Sequence, residues 1–288
     1  IFDSNHFQMN RLFLLLFGMV TFVAHAQVPD YVPTEGLVAW YEMDGGTLDS
    51  SPNENHGIPT GVSAYTDRNG IESGALWFDG SNDYITVPFS ESIDIQAEFS
   101  SAVWVYLQGG GCNPRVYEIH EYLNCGGYTL AFNEAPGDLP RTFHTSNFGG
   151  CQSSLVAHSG GSASVQPGEW HHVALTFTPG PTSSGKLYVD GILVNEAFLS
   201  QDISGINYYG APLYIGNIAP DRCDWYGGGM DELGFWEKTL SPEEIWSVYV
   251  GAPLNPGCTD STACNFDAEA TSDDGSCIPS GCMDSEAC

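Results

Sequence analysis

The sequence predicts an all-β fold, an antiparallel two-sheet β-sandwich of the jelly-roll kind. Three observations predict it. Short alternating or apolar runs recur from Gly36 to Tyr249. Turn clusters separate them, including Ser51-Pro52-Asn53, Asp67-Arg68-Asn69-Gly70, Asp79-Gly80-Ser81-Asn82, Gly109-Gly110-Gly111 and Gly227-Gly228-Gly229. A helical pattern stands out once, near the end of this region. Many short strands at such spacing, punctuated by Gly, Pro, Asn and Asp, make a sandwich rather than an α/β sheet.

The strand runs fall at residues 37–43, 75–78, 84–87, 100–107, 116–122, 128–132, 141–144, 171–177, 187–189, 193–198, 213–215 and 230–236. In the clearest of them, Trp170, His172, Ala174 and Thr176 alternate with His171, Val173, Leu175 and Phe177, which is strand period. Asp190-Gly191 then offers the positive φ angles of a two-residue hairpin turn. Trp40, Trp77, Trp104, Trp170 and Trp236 lie in strand runs and read as core. The helix begins at Ser241-Pro242-Glu243-Glu244, with Ser at the N-cap, Pro at the first position and Glu at the third, a capping box. Ile245, Val248 and Tyr249 supply its apolar stripe before Gly251 and Pro253 end it.

The stretch from Gly168 to Glu196, with Trp170-His171-His172-Val173-Ala174 followed by Leu187-Tyr188-Val189-Asp190-Gly191, resembles the laminin G-like, concanavalin A-like jelly roll. Members of that family carry such a strand and hairpin. Five further pieces follow the family pattern in order. They are Gly36 to Tyr41, Ala75 to Ile85, Ser101 to Val105, Leu213 to Asn217 and Met230 to Trp236. The resemblance covers roughly residues 36 to 251. It implies the scaffold and a helix after the last strand; it does not imply a reaction, because fold does not dictate function.

Acids outnumber bases 36 to 7 and the formal net charge is −29. Nucleic acid and anionic membrane are therefore excluded as partners, since both need Lys and Arg neutralisation. Residues 1–8 precede Met9 and read as upstream read-through. Residues 9–26 read as a signal peptide: Met9-Asn10-Arg11, an apolar run from Leu12 to Val23, and Ala24-His25-Ala26 before Gln27. The expected product is secreted or cell-surface attached, without membrane insertion after cleavage. Export makes the nine cysteines expected disulfide partners rather than reduced thiols. Counting strand reversals places Cys125 with Cys151 at one end of the sandwich and Cys112 with Cys223 at the other, and these are the expected pairs.

The expected domains are a jelly roll over 27–252, a linker over 253–256 and a Cys-rich tail over 257–288. In that tail Gly257-Cys258-Thr259-Asp260 recurs as Gly281-Cys282-Met283-Asp284, a period of 24 residues. It resembles the "GCTDxxACN" repeats on large exported proteins of marine Bacteroidetes-type bacteria. The second unit stops on its second cysteine, so further domains are expected beyond residue 288.

Three constellations carry candidate chemistry. Asp79, Asn82, Asp83 and Asp231 are the oxygen-rich set that suits a structural Ca²⁺, and the resemblance adds that many such jelly rolls hold one near the sheet rim. The same residues also suit a plain Asp-Gly turn. Tyr208, Tyr209, Trp225 and Tyr226 fall in Gly-rich loops, where apolar rings can stack on sugar faces. His171-His172 point to opposite faces of a strand, cannot chelate one metal together, and read as framework. A glycosidase strand of the E-x-D-x-x-E kind is not met. Glu91, Asp94 and Glu98 have the letters at the wrong spacing, with Glu91 and Asp94 on opposite faces if the segment is a strand. The sequence therefore reads as a non-enzymatic binding or adhesion module for a cell-surface glycan or glycoprotein. The alternatives are an accessory domain of a carbohydrate-active enzyme and a structural spacer.

Overall fold

The computed structural model describes residues 27–110, 114–121, 126–133, 142–144, 165–181, 183–199, 210–217, 224–253, 255–270, 272–273 and 275–279. The candidate residues Tyr208 and Tyr209 and the four jelly-roll cysteines Cys112, Cys125, Cys151 and Cys223 lie outside them, as do residues 1–26.

Sixteen strands and one helix are described. In chain order they are β1 (Leu37–Tyr41), β2 (Ile58–Thr60), β3 (Ser63–Tyr65), β4 (Ala75–Asp79), β5 (Tyr84–Val87), β6 (Phe99–Gly110), β7 (Arg115–Glu121) and β8 (Gly126–Asn133). Then follow β9 (Thr142–His144), β10 (Trp170–Thr178), β11 (Ser183–Val189), β12 (Ile192–Leu199), β13 (Leu213–Ile215), β14 (Tyr226–Trp236), α1 (Pro242–Val250), β15 (Pro256–Gly257) and β16 (Ser272–Asp273). One sheet has eight strands in the order β12-β11-β10-β6-β14-β4-β3, with β1 also pairing the long β14. The other has six, in the order β2-β5-β13-β7-β8-β9. Every pairing in both sheets is antiparallel. The expected two-sheet antiparallel sandwich is what forms.

The core between the sheets follows strand parity. Val103 and Val105 of β6, Val173, Leu175 and Phe177 of β10, and Leu76 and Phe78 of β4 point inward. They meet Ile85, Val87, Ile119, Leu130 and Ile215 of the six-stranded sheet. The alternate residues of the eight-stranded sheet face outward. On one half of that outer face α1 lies down. Its Ile245 and Val248 pack on Trp40, Ala102, Ala174, Tyr188 and Trp236 in a second apolar cluster. This is why β10 is buried on both faces although its sequence alternates. The small residues Ala102, Ala174 and Gly234 let α1 come close. A Cβ at Gly234 would meet Trp40 and Trp236 at 2.8 and 2.4 Å.

The local signals act as their chemistry dictates. Asp190 and Gly191 take φ of 50° and 74°, the paired positive values that a two-residue hairpin turn needs. At the helix start the Ser241 Oγ accepts from the Glu244 N–H, and the Glu244 carboxylate accepts from the Ser241 N–H. Both bonds of the capping box are present. The Gly227-Gly228-Gly229 stretch, expected as a turn, is instead the beginning of β14. Its glycines permit close backbone approach and a bulge against β6. Gly228 has φ 145°, and a Cβ there would stand 1.9 Å from the Tyr106 carbonyl. After α1, Cys258 and Cys277 form a disulfide beside the short parallel pair β15–β16.

Candidate functional site

The helix covers only half of the outer face, and the other half is aromatic. Along β6 the outward positions run Ala102, Trp104, Tyr106, Gln108. Ala102 lies under α1, Trp104 stacks with Tyr249 from the last turn of the helix at 5.6 Å, and Tyr106 lies beyond it. Across the sheet, Tyr106 is in register with Trp170 of β10 on one side and Gly229 of β14 on the other, and Gly229 is in register with Trp77 of β4. Trp77, Tyr106 and Trp170 therefore form one row perpendicular to the strands. Tyr65, from β3, leans over the gap that Gly229 leaves. Its ring centroid lies 4.5 Å from Trp77, 6.0 Å from Tyr106 and 6.5 Å from Trp170. All four rings are partly exposed. A Cβ at Gly229 would stand 2.8 Å from Trp170 and 3.2 Å from Tyr65, so the glycine is what lets the rings converge.

A shallow cleft flanks the row on each side. One, of about 300 Å³, is bounded by Trp77, Asp79, Gln108 and Gly227. The other, of about 490 Å³, is bounded by Arg68, Asn69, Trp104, Trp170, Tyr249 and Val250. The floor is thus apolar and its two margins carry amide, carboxylate and guanidinium groups.

Arg68 reaches this face from the turn between β3 and β4. Its guanidinium donates to Asp231 and Glu232 at 2.9 and 3.0 Å and lies 4.5 Å over the Trp104 ring. Glu232 also accepts from the Tyr31 hydroxyl. Burial, then the neighbouring Glu232 charge, push the Asp231 carboxyl up to about 8 against the pull of Arg68. Beneath Tyr249, His172 is fully buried. Neither of its ring nitrogens has a hydrogen-bond partner among the described residues. Burial pushes that imidazole down to about 3, so it stays neutral. His171, on the other face, bonds Asp190 at 2.9 Å. The adjacent histidines are framework, as strand parity requires.

The four carboxylate and amide candidates for Ca²⁺ are not brought together. Asp79 accepts from the Ser81 and Asn82 N–H groups, and Asp83 accepts from the Asp79 N–H, so these side chains tie a turn. Asp231 lies four residues further along β14 than Gly227, the partner of Asp79, roughly 13 Å away at strand rise. It is claimed there by Arg68. Among the described residues no group of three or more His, Cys, Asp or Glu side chains is placed to hold a metal ion. Tyr226 is likewise no ligand residue. Its ring is fully buried, its hydroxyl donates to the Gly229 carbonyl, and it packs on Phe78 and Phe132. The cause is that Gly227 to Gly229 continue β14 against β6 rather than turn, which puts Tyr226 inside a strand instead of a loop. Trp225 is partly exposed and neighbours Tyr84 at 6.1 Å. The segment 91–98 is a turn, not a strand, and Glu98 accepts from the Thr239 N–H.

Trp77 and Trp170, expected in the core with Trp40, Trp104 and Trp236, stand on the open half of the outer face. Tyr65, Tyr106 and Arg68 carried no functional expectation. The signal existed in the parity: Trp77 and Tyr106 fall opposite Leu76 and Val105, whose aliphatic side chains define the inner face.

Residues 79–246, more than half of the chain, match the sequence profile of the concanavalin A-like lectin/glucanases superfamily (Laminin_G_3). The chain belongs to that superfamily. Solved structures of similar shape include domain 4 of AbnA, a GH43 extracellular arabinanase from Geobacillus stearothermophilus, solved in complex with arabinotriose. It is 18% identical with a TM-score of 0.56, covering 74% of this chain and 98% of that one. The binding domain of Paraclostridial Mosquitocidal Protein 1 is 13% identical with a TM-score of 0.59, over 80% of this chain and 54% of that one. The botulinum neurotoxin serotype D binding domain is 18% identical with a TM-score of 0.56, over 76% and 52%. At these identities the superfamily likeness is one of fold. A 60-residue stretch is 43% identical to hamster (Mesocricetus auratus) serum amyloid P-component, covering 17% of this chain and 26% of that protein. The chain thus spans about a quarter of the curated relative it matches.

Proposed function

We propose that this protein is a secreted, non-catalytic binding module that recognises carbohydrate on the outer face of its eight-stranded sheet. One observation carries the reading: Tyr65, Trp77, Tyr106 and Trp170 form a partly exposed aromatic floor with polar margins on both sides. A sugar ring has apolar C–H faces and hydroxyls around its edge. Stacked on such a floor, it places its faces on the rings and its hydroxyls toward Gln108 and Asp79 on one side and Asn69 on the other. No proton transfer or covalent step is required of any of these groups, which fits a binding role. The arabinotriose complex of AbnA domain 4 supports the reading by showing a sugar on the same fold.

The expected site thereby moves from the rim loops to the sheet face. A soluble-polysaccharide panel run by affinity electrophoresis tests it. Retardation by at least one polysaccharide is expected, lost in both Trp77→Ala and Trp170→Ala. No retardation by any member would remove the carbohydrate reading. A structural Ca²⁺ near Asp79 and Asp83 remains a separate proposal, checked by whether EDTA lowers the melting temperature.

A further inference from the structure

The proposed carbohydrate site also has a charge and a shape, and together they specify a class of ligand. We infer that the aromatic floor takes an internal run of about three rings of a neutral, linear polysaccharide, lying across the strands. This rests on the carbohydrate reading above.

The charge argument comes from how the local ions are used. Arg68 is the base that lines this face among the described residues, and both ends of its guanidinium are held by Asp231 and Glu232. Its flat side is occupied by the Trp104 ring. It therefore has little left to offer a carboxylate or sulfate. Around it stand Asp67, Asp231 and Glu232, with an exposed Asp79 at the opposite margin. The chain as a whole carries −29. An anionic glycan would enter a field of its own sign and find Arg68, the cation described on this face, already engaged. Neutral hydroxyls lose nothing there, because carboxylates accept hydrogen bonds from them and amides both accept and donate.

The shape argument comes from register. Trp77 and Tyr106 flank Gly229 two strands apart, and Tyr106 and Trp170 are neighbours, so their backbone positions span roughly 14 Å at the usual strand spacing. Successive centroids from Trp77 to Tyr106 and from Tyr106 to Trp170 are 6.4 and 5.7 Å apart. That repeat suits consecutive sugar rings of one chain. Among the described residues, neither end of the row is closed. Ser63, the partner of Trp77 on β3, is exposed, and Trp170 begins β10 beyond the last residue of β11 that pairs with it. An open track accepts the middle of a chain; a pocket that recognised a chain terminus would be closed at one end.

The experiment uses the full chain with arabinan, xylan, mannan and mixed-linkage glucan, each native and after chemical sulfation, at low salt. At least one native polymer is expected to bind, and its sulfated form to bind at least about tenfold more weakly. Competition by oligosaccharides of that polymer is expected to strengthen up to three rings and then level off, and borohydride reduction of the chain end is expected to change nothing. Sulfated forms that bind as well as native ones, or a monosaccharide that competes as well as the trisaccharide, would overturn this inference while leaving the carbohydrate reading standing. Failure of every polymer, native and sulfated, would overturn both.

Discussion

Two single residues carry most of what the open face can be asked energetically. Arg68 holds two carboxylates whose side chains are only 4% and 14% exposed. Removing it leaves both carboxyl groups without the guanidinium that hydrogen-bonds them, a loss of roughly 1–3 kcal/mol. Arg68→Ala is expected to lower the urea midpoint accordingly. Arg68→Lys should fall between, because a single ammonium cannot reproduce the two-ended fork. His172 acts through pH. Its folded value near 3 lies below the unfolded 6.5, so the unfolded chain gains a proton that the fold refuses. Stability from this group is full above about pH 6.5 and falls as pH drops toward 3, by about 2 kcal/mol between pH 7 and 5. Nearby Asp190 opposes the effect and Arg68 reinforces it. Denaturation of wild type and His172→Leu at both pH values checks this, and the variant should lose less stability on acidification by about that amount.

At the scale of elements, the helix and the glycine-rich start of β14 divide the outer face between them. α1 covers the half where Ala102, Ala174 and Gly234 are small, and its last turn brings Tyr249 to where the rings begin. Ser241→Ala removes one capping bond and should cost about 1 kcal/mol without touching binding. Gly229→Ala puts a methyl among the rings of Trp170 and Tyr65. It should weaken polysaccharide binding while the inner core is untouched, which circular dichroism and a binding titration would separate. Much of this was legible beforehand. The strands of the sandwich, the Asp190-Gly191 turn and the capping box follow from period and turn chemistry alone. The glycines of β14 were not legible, because three successive Gly residues signal a turn locally, and only the close backbone of β6 explains them in a strand. That misreading carried Tyr226 from the core into an expected loop. For Trp77 and Trp170 the reason differs: a large apolar ring in a strand favours the core, whereas their parity with Leu76 and Val173 points them outward.

For the whole molecule, the account is a two-sheet sandwich whose inner faces make the fold and whose uncovered outer half carries the proposed site. A superfamily fold alone would not choose between rim loops and sheet face. The proposal of the sheet face rests on the exposed rings, the two flanking clefts and the engaged Arg68. The central claim is tested most directly by isothermal titration of the best-binding neutral polysaccharide into four proteins. They are the wild type, Trp77→Ala, Trp170→Ala and Trp225→Ala. The account predicts at least about tenfold weaker binding for the first two variants and wild-type affinity for Trp225→Ala, with all four melting cooperatively. Loss of binding in Trp225→Ala, with Trp77→Ala and Trp170→Ala unaffected, would return the site to the rim and contradict the account.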